Sequence, residues 1–151
     1  MKKNSNYLVD ILFIIIPFVY GYLINTMVLP IYPFIMQLVF IGLWFYVGMR
    51  FSRWNLPKWK SFLIGNSLWL ISFALFVWQF ILLDDTSRNI DIAGLAQFYM
   101  LSFVYGTAKI LPFLYSGTML IIWAYLFMLA TFSVGFLLQK NSYAQKITKC
   151  I

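Results

Sequence analysis

Asp84, Asp85 and Asp91 stand within eight residues of one another and are the chain's one group of carboxylates. Acids so spaced can hold a divalent cation through oxygen ligands, or divide acid and base roles in a hydrolysis. Either chemistry needs supporting groups, and the composition withholds them. The 151 residues carry four acids, all aspartate, with no Glu and no His. Without imidazole there is no bis-histidine haem site, no histidine-based zinc centre and no Ser–His relay. The single cysteine, Cys150, excludes an internal disulfide, a CxxC redox pair and a cysteine metal cluster.

The aspartates therefore read as an exposed loop whose Asn89 or Asp91 caps the following helix, a role in which a side-chain oxygen accepts free N–H groups. Asn89-Ile90-Asp91 does not match the Asn- and Gly-containing aspartate motifs of membrane aspartyl peptidases. No catalytic residue, metal site or cofactor site is expected, and the chain reads as a non-enzyme.

Two other groups of residues could bind. From Arg50 to Lys60 four cations (Arg50, Arg53, Lys58, Lys60) interleave with three aromatics, Trp54 and Trp59 among them. Indole rings favour the lipid headgroup layer, and each nearby cation attracts anionic lipid by about 1 kcal/mol. This loop is read as an anchor to anionic headgroups, or as a dock for a partner. The second group is a pair of stripes. Gly65, Ser72 and Gln79 recur every seven residues, as do Gly117, Ala124 and Thr131. A seven-residue repeat holds one seam toward a left-handed partner helix, and small side chains let backbones approach. With Asn66 and Thr118 beside them, these residues are expected to form a helix-packing seam, or else a groove for a neutral ligand.

The elements that must position these residues are membrane spans. The chain is 63% hydrophobic and 10% charged, where a soluble domain carries roughly 25% charged residues. A span needs roughly 20 apolar residues. Four such runs lie at about residues 11–29, 32–49, 61–83 and 116–138, and the reading is an all-α integral membrane bundle forming one domain over residues 1–151. The first run is bent near Pro17, and a tight turn built on Pro30-Ile31-Tyr32-Pro33 separates the first two. The stretch 92–108 is uncharged but short, and is interrupted by Gly94, Gln97, Ser102 and Gly106. It is expected to form an extracellular helix lying at the interface or inserted half-way.

Charge decides between four spans and five. Four spans put Lys2, Lys3, Arg50, Arg53, Lys58, Lys60, Lys140, Lys146 and Lys149 inside, nine of the eleven basic residues, with Arg88 and Lys109 outside. A fifth span would expel the C-terminal lysines, against the positive-inside bias. Both termini are therefore expected in the cytoplasm of what looks, from its Lys-, Ile- and Phe-rich usage, like a bacterial cell membrane. The net charge of +7 sits at span ends rather than on a soluble face, so nucleic acid is not an expected partner.

No Asp, Lys or Arg falls in the middle of a span, whereas ion-coupled transporters and proton relays usually place ionisable residues there. The function expected is binding without catalysis: a subunit, regulator or immunity-like partner of another membrane protein, or of a second copy. The alternative is a passive permease or binding component for a hydrophobic or neutral small molecule.

Overall fold

A computed structural model describes residues 7–27, 33–111 and 117–148, and every regular element in them is helical. The turn expected at Pro30-Ile31-Tyr32 and the residues Lys2, Lys3, Pro112, Ser116, Lys149 and Cys150 lie outside the described residues.

Helix α1 (Tyr7–Met27) runs as one element through Pro17, and α2 (Pro33–Ser52) opens on a proline, whose missing N–H is unbonded at a helix start in any case. Next comes a bent pair, α3 (Lys58–Gly65) and α4 (Ser67–Val77), closed by a π turn at Trp78–Leu82. It bends by 56° at Asn66. There the Asn66 amide donates to the Phe62 carbonyl at 3.0 Å, the kind of back-bond by which short polar side chains compete with helix hydrogen bonding. Helices α5 (Ile90–Phe98) and α6 (Leu101–Ile110) follow, then α7 (Gly117–Thr148). Helices α1, α2 and α7 are each long and apolar enough to cross a membrane, and the bent α3–α4 pair reaches that length only when counted as one span.

Side-chain pairs set the directions. Asp10 meets Arg50, Phe13 meets Tyr46 and Tyr20 meets Phe40, so α1 and α2 are antiparallel. Trp44 lies against Phe132 and Arg53 reaches Gln139, so α2 and α7 run parallel. These two form the most extensive pairing in the molecule. A Cβ at Gly48 would fall on the Phe132 carbonyl, and one at Gly135 would fall on the Phe45 carbonyl. The two glycines face each other where the backbones touch, as small residues do between helices in lipid.

The expected single helix at 92–108 is instead two helices, longer at both ends and sunk into the bundle. Their levels follow from their neighbours at 1.5 Å rise per residue. Gly106 donates its N–H to Gln37, about 6 Å along α2 from Pro33. Tyr99 lies edge-on to Trp44, about 16 Å along the same helix. Phe103 meets Phe127, about 15 Å into α7. The segment thus enters at Asn89, turns near mid-height at Tyr99 and Met100, and returns. Helix α5 lodges between α1 and α4, and α6 between α2 and α7. A Cβ on Gly21 would strike the Phe98 carbonyl, so α1 admits α5 only because residue 21 has no side chain. The turn is closed by three-residue bonds, Met100 N–H to Gln97 and Phe103 N–H to Met100, and both turn residues are buried.

Candidate functional site

The polar side chains gather in two places. At one end of the bundle stands Asp10. It lies inside the first turn of α1 and is fully buried, although its place in the sequence suggests only the flank of a span. Arg50 donates to its Oδ1 from Nε at 2.8 Å, and Nη2 lies 2.6 Å from the same oxygen. The Trp54 indole donates to Oδ2 at 2.7 Å. Arg50 Nη1 in turn donates to the Tyr46 hydroxyl at 3.3 Å, and the Tyr7 ring stands edge-on to Trp54 at 4.8 Å. A buried carboxylate is tolerated when it is paired and hydrogen-bonded, and here both its oxygens are bonded from α2 and the turn that follows it.

This arrangement corrects part of the loop reading. Trp54 faces inward, bonded to Asp10 and stacked near Phe51, rather than outward among headgroups. Arg53 donates to Gln139 of α7 at 3.0 Å, and Lys58 to the Ser52 carbonyl at 2.6 Å. Trp59 is the outward indole, 62% exposed, with the Lys60 ammonium 5.4 Å from its ring centre.

The second gathering fastens α5 and α6. Ser72 of α4 donates to the Ala96 carbonyl at 2.7 Å and lies 2.6 Å from the Tyr125 hydroxyl, which also donates to Ala96. The Trp69 indole donates to the Tyr125 carbonyl at 3.0 Å. Gln79, buried in the π turn, accepts from the Asn89 N–H through its side chain, and from the Arg88 guanidinium through its carbonyl, each at 3.0 Å. The wide turn leaves that carbonyl free for Arg88. Asn89 caps α5 by accepting from the N–H groups of Asp91 and Ile92. Asp84, Asp85 and Asp91 are exposed, and Asp85 pairs with Arg88 at 2.7 Å. Among the described residues no group of three or more His, Cys, Asp or Glu could hold a metal ion.

Of the expected seam residues, Gly65, Asn66, Ser72 and Gln79 are buried, and Gly65 abuts the rings of Phe132 and Phe51. On α7 the face differs from the expected one. Tyr125 and Phe132 meet the α3–α4 pair, each one residue beyond Ala124 and Thr131. Ala124 is buried, Thr118 and Thr131 are half-buried, and Gly117 is exposed with nothing near the place of a Cβ. Thr131 donates to the Phe127 carbonyl of its own helix, and Gln79 turns to Asn89 rather than toward Gly117. Large aromatic side chains, reaching across from a more distant α7, replace the close small-residue contact.

Among known proteins no family model matches the chain, no curated protein matches it, and no solved structure matches it.

Proposed function

We propose that this is a four-span membrane protein with both termini in the cytoplasm, which acts by binding another membrane protein as a subunit, regulator or immunity-like partner and performs no catalysis. The observation that carries this reading is the use made of the interior polar groups. Ser72, Tyr125, Gln37 and Gln79 all bond to the backbone of the segment from Asn89 to Gly106. A permeation path would need such groups on its wall, and here they hold a plug in place. A broken helix at that depth is tolerated in lipid only when protein surrounds it, and the burial of Tyr99 and Met100 meets that condition. The bent α3–α4 pair serves as the fourth span, which sets Arg50, Arg53, Lys58 and Lys60 at one end and Arg88 and Lys109 at the other, in keeping with the positive-inside bias.

One observation favours the second reading, a binding component for a neutral small molecule. Asn25, Asp91 and Gln97 line a cavity of about 490 Å³ with Phe98 and Leu101 at the re-entrant end. Purification of the full chain in mild detergent, with identification of co-purifying proteins and small molecules, separates the two. A stoichiometric polypeptide supports the first reading, and a retained small molecule with no polypeptide supports the second. Labelling of a cysteine introduced in the C-terminal tail from outside the cell would overturn the four-span topology.

A further inference from the structure

Helices α1 and α2 meet at their Asp10–Arg50 end and through two ring pairs, and between them lies an open groove of about 760 Å³. Its walls run from Val9 to Leu23 on α1 and from Met36 to Leu43 on α2. We propose that this groove holds one acyl chain of an anionic phospholipid, with the phosphate seated against Arg50 and Tyr46.

The wall chemistry selects a chain over a helix. None of the described lining residues is Gly, Ala, Ser or Thr, the small residues through which helices approach one another in lipid. The walls are branched and aromatic, and several are well exposed, Leu12 at 61% and Val39 at 55%.

The headgroup end is supplied by the same stripe of α2. From Met36, Val39 and Leu43, helical spacing continues to Tyr46 and Arg50. Phe13, which lines the groove, meets the Tyr46 ring edge-on, and the Tyr46 hydroxyl accepts from Arg50, so the guanidinium stands just beyond that end of the groove. Arg50 directs three of its five N–H groups to Asp10 and Tyr46 and keeps a side chain 27% exposed. Asp10 holds the guanidinium plane in position, and the planar fork suits a phosphate oxygen pair. Arg53, Lys58 and Lys60 at the same end leave an excess of positive charge there despite Asp10.

The site rests on the membrane reading above, and its test is separable from that reading. The full chain in mild detergent is incubated with micelles holding equal amounts of phosphatidylglycerol and phosphatidylcholine, washed, and its retained phospholipid is measured by class. Phosphatidylglycerol is expected to be retained at least about fivefold over phosphatidylcholine, the ratio given by ~1 kcal/mol per cation near an anionic lipid. Val39→Trp, which fills the groove from an exposed position, is expected to abolish retention while thermal unfolding stays unchanged. Leu12→Trp does the same from the opposite wall and serves if the first variant fails to fold. Tyr46→Phe is expected to retain lipid with reduced headgroup preference. Equal retention of the two headgroups, or undiminished retention by folded groove-filled variants, overturns the proposal. So does a co-purifying polypeptide, in place of lipid, that Val39→Trp releases. A chain that stays monodisperse without detergent overturns the membrane reading itself, whereas a detergent-dependent chain that retains no lipid overturns the site alone.

Discussion

Helix α7 is held on two sides by different means. Against α2 the contact is between backbones: Gly48 and Gly135 face each other, and Trp44, Phe51 and Phe132 close around them. Against the α3–α4 pair the helices stand further apart and side chains bridge the gap, with Trp69 donating to the Tyr125 carbonyl, Ser72 beside the Tyr125 hydroxyl and the Phe132 ring against Gly65. In lipid, apolar side chains gain little by leaving the solvent, so association relies on close packing and on hydrogen bonds. The two contacts of α7 use one of these each. The comparison predicts that the first is brittle toward size and the second is sensitive to polarity by smaller amounts.

The largest expected effect is on the backbone contact. In Gly48→Leu the new Cβ meets the Phe132 carbonyl, which cannot turn aside as a side chain can. A loss of about 3 kcal/mol or more is expected, at the upper end of overpacking costs. Unfolding in mixed micelles of mild and denaturing detergent would measure it. A near-native stability would mean that α2 and α7 do not touch at Gly48.

Next comes Ala124→Leu, at a fully buried α7 position between the two contacts. It belongs to the buried cluster that holds Phe103, Tyr125 and Met128, whose side chains allow partial accommodation, and a loss of about 1–3 kcal/mol is expected. A loss equal to that of Gly48→Leu would remove the distinction between a wall of backbone and a wall of side chains.

The hydrogen-bonded contact should respond more weakly. Tyr125→Phe removes a hydroxyl that donates to Ala96, but Ser72 still donates to the same carbonyl. About 0.6–1 kcal/mol is expected, the usual worth of one interhelical hydrogen bond in lipid. Adding Ser72→Ala leaves the Ala96 carbonyl without either donor, and the double variant should cost more than the sum of the single ones. Strict additivity would show that the two hydroxyls do not share that carbonyl.

Much of the frame is legible in the chain and some of its key details are not. Long apolar runs between charged ends predict α1, α2 and α7 because lipid-length helices need little beyond apolar content and length. The stripe of Gly65, Ser72 and Gln79 predicts a buried face, since polar and small groups turn from hydrocarbon toward protein. The stripe of Gly117, Ala124 and Thr131 fails because small size alone does not mark a contact, and α7 meets its neighbour through Tyr125 and Phe132. Gly135, the small residue that does carry a close approach, stands in no such repeat with Gly117. The break at Tyr99 and Met100 has neither Gly nor Pro to announce it. It depends on neighbours that satisfy the interrupted backbone, Ser72 and Tyr125, which donate to the Ala96 carbonyl from distant parts of the chain. Asp10 reads as a flanking charge for a similar reason: Arg50 and Trp54, which bond it, are forty and more residues away.

The smallest expected effect tests that lesson directly. Thr131 stands on the face that seven-residue spacing points at the α3–α4 pair, yet it is half-buried and its hydroxyl is satisfied within α7 by the Phe127 carbonyl. Replacing it by Leu removes a back-bond that slightly disfavours the helix and adds apolar surface beside exposed Phe127 and Val134. Thr131→Leu should therefore change stability by no more than about 0.5 kcal/mol, as surface positions do. Gly117→Leu should be equally quiet, because a Cβ there meets open space. The informative outcome is the ratio to Ala124→Leu. If Thr131→Leu costs as much as Ala124→Leu, α7 is turned by about one residue, roughly 100°, and Thr131 rather than Phe132 faces Gly65. In that case the aromatic bridge would give way to the small-residue seam, and Tyr125→Phe would then be silent.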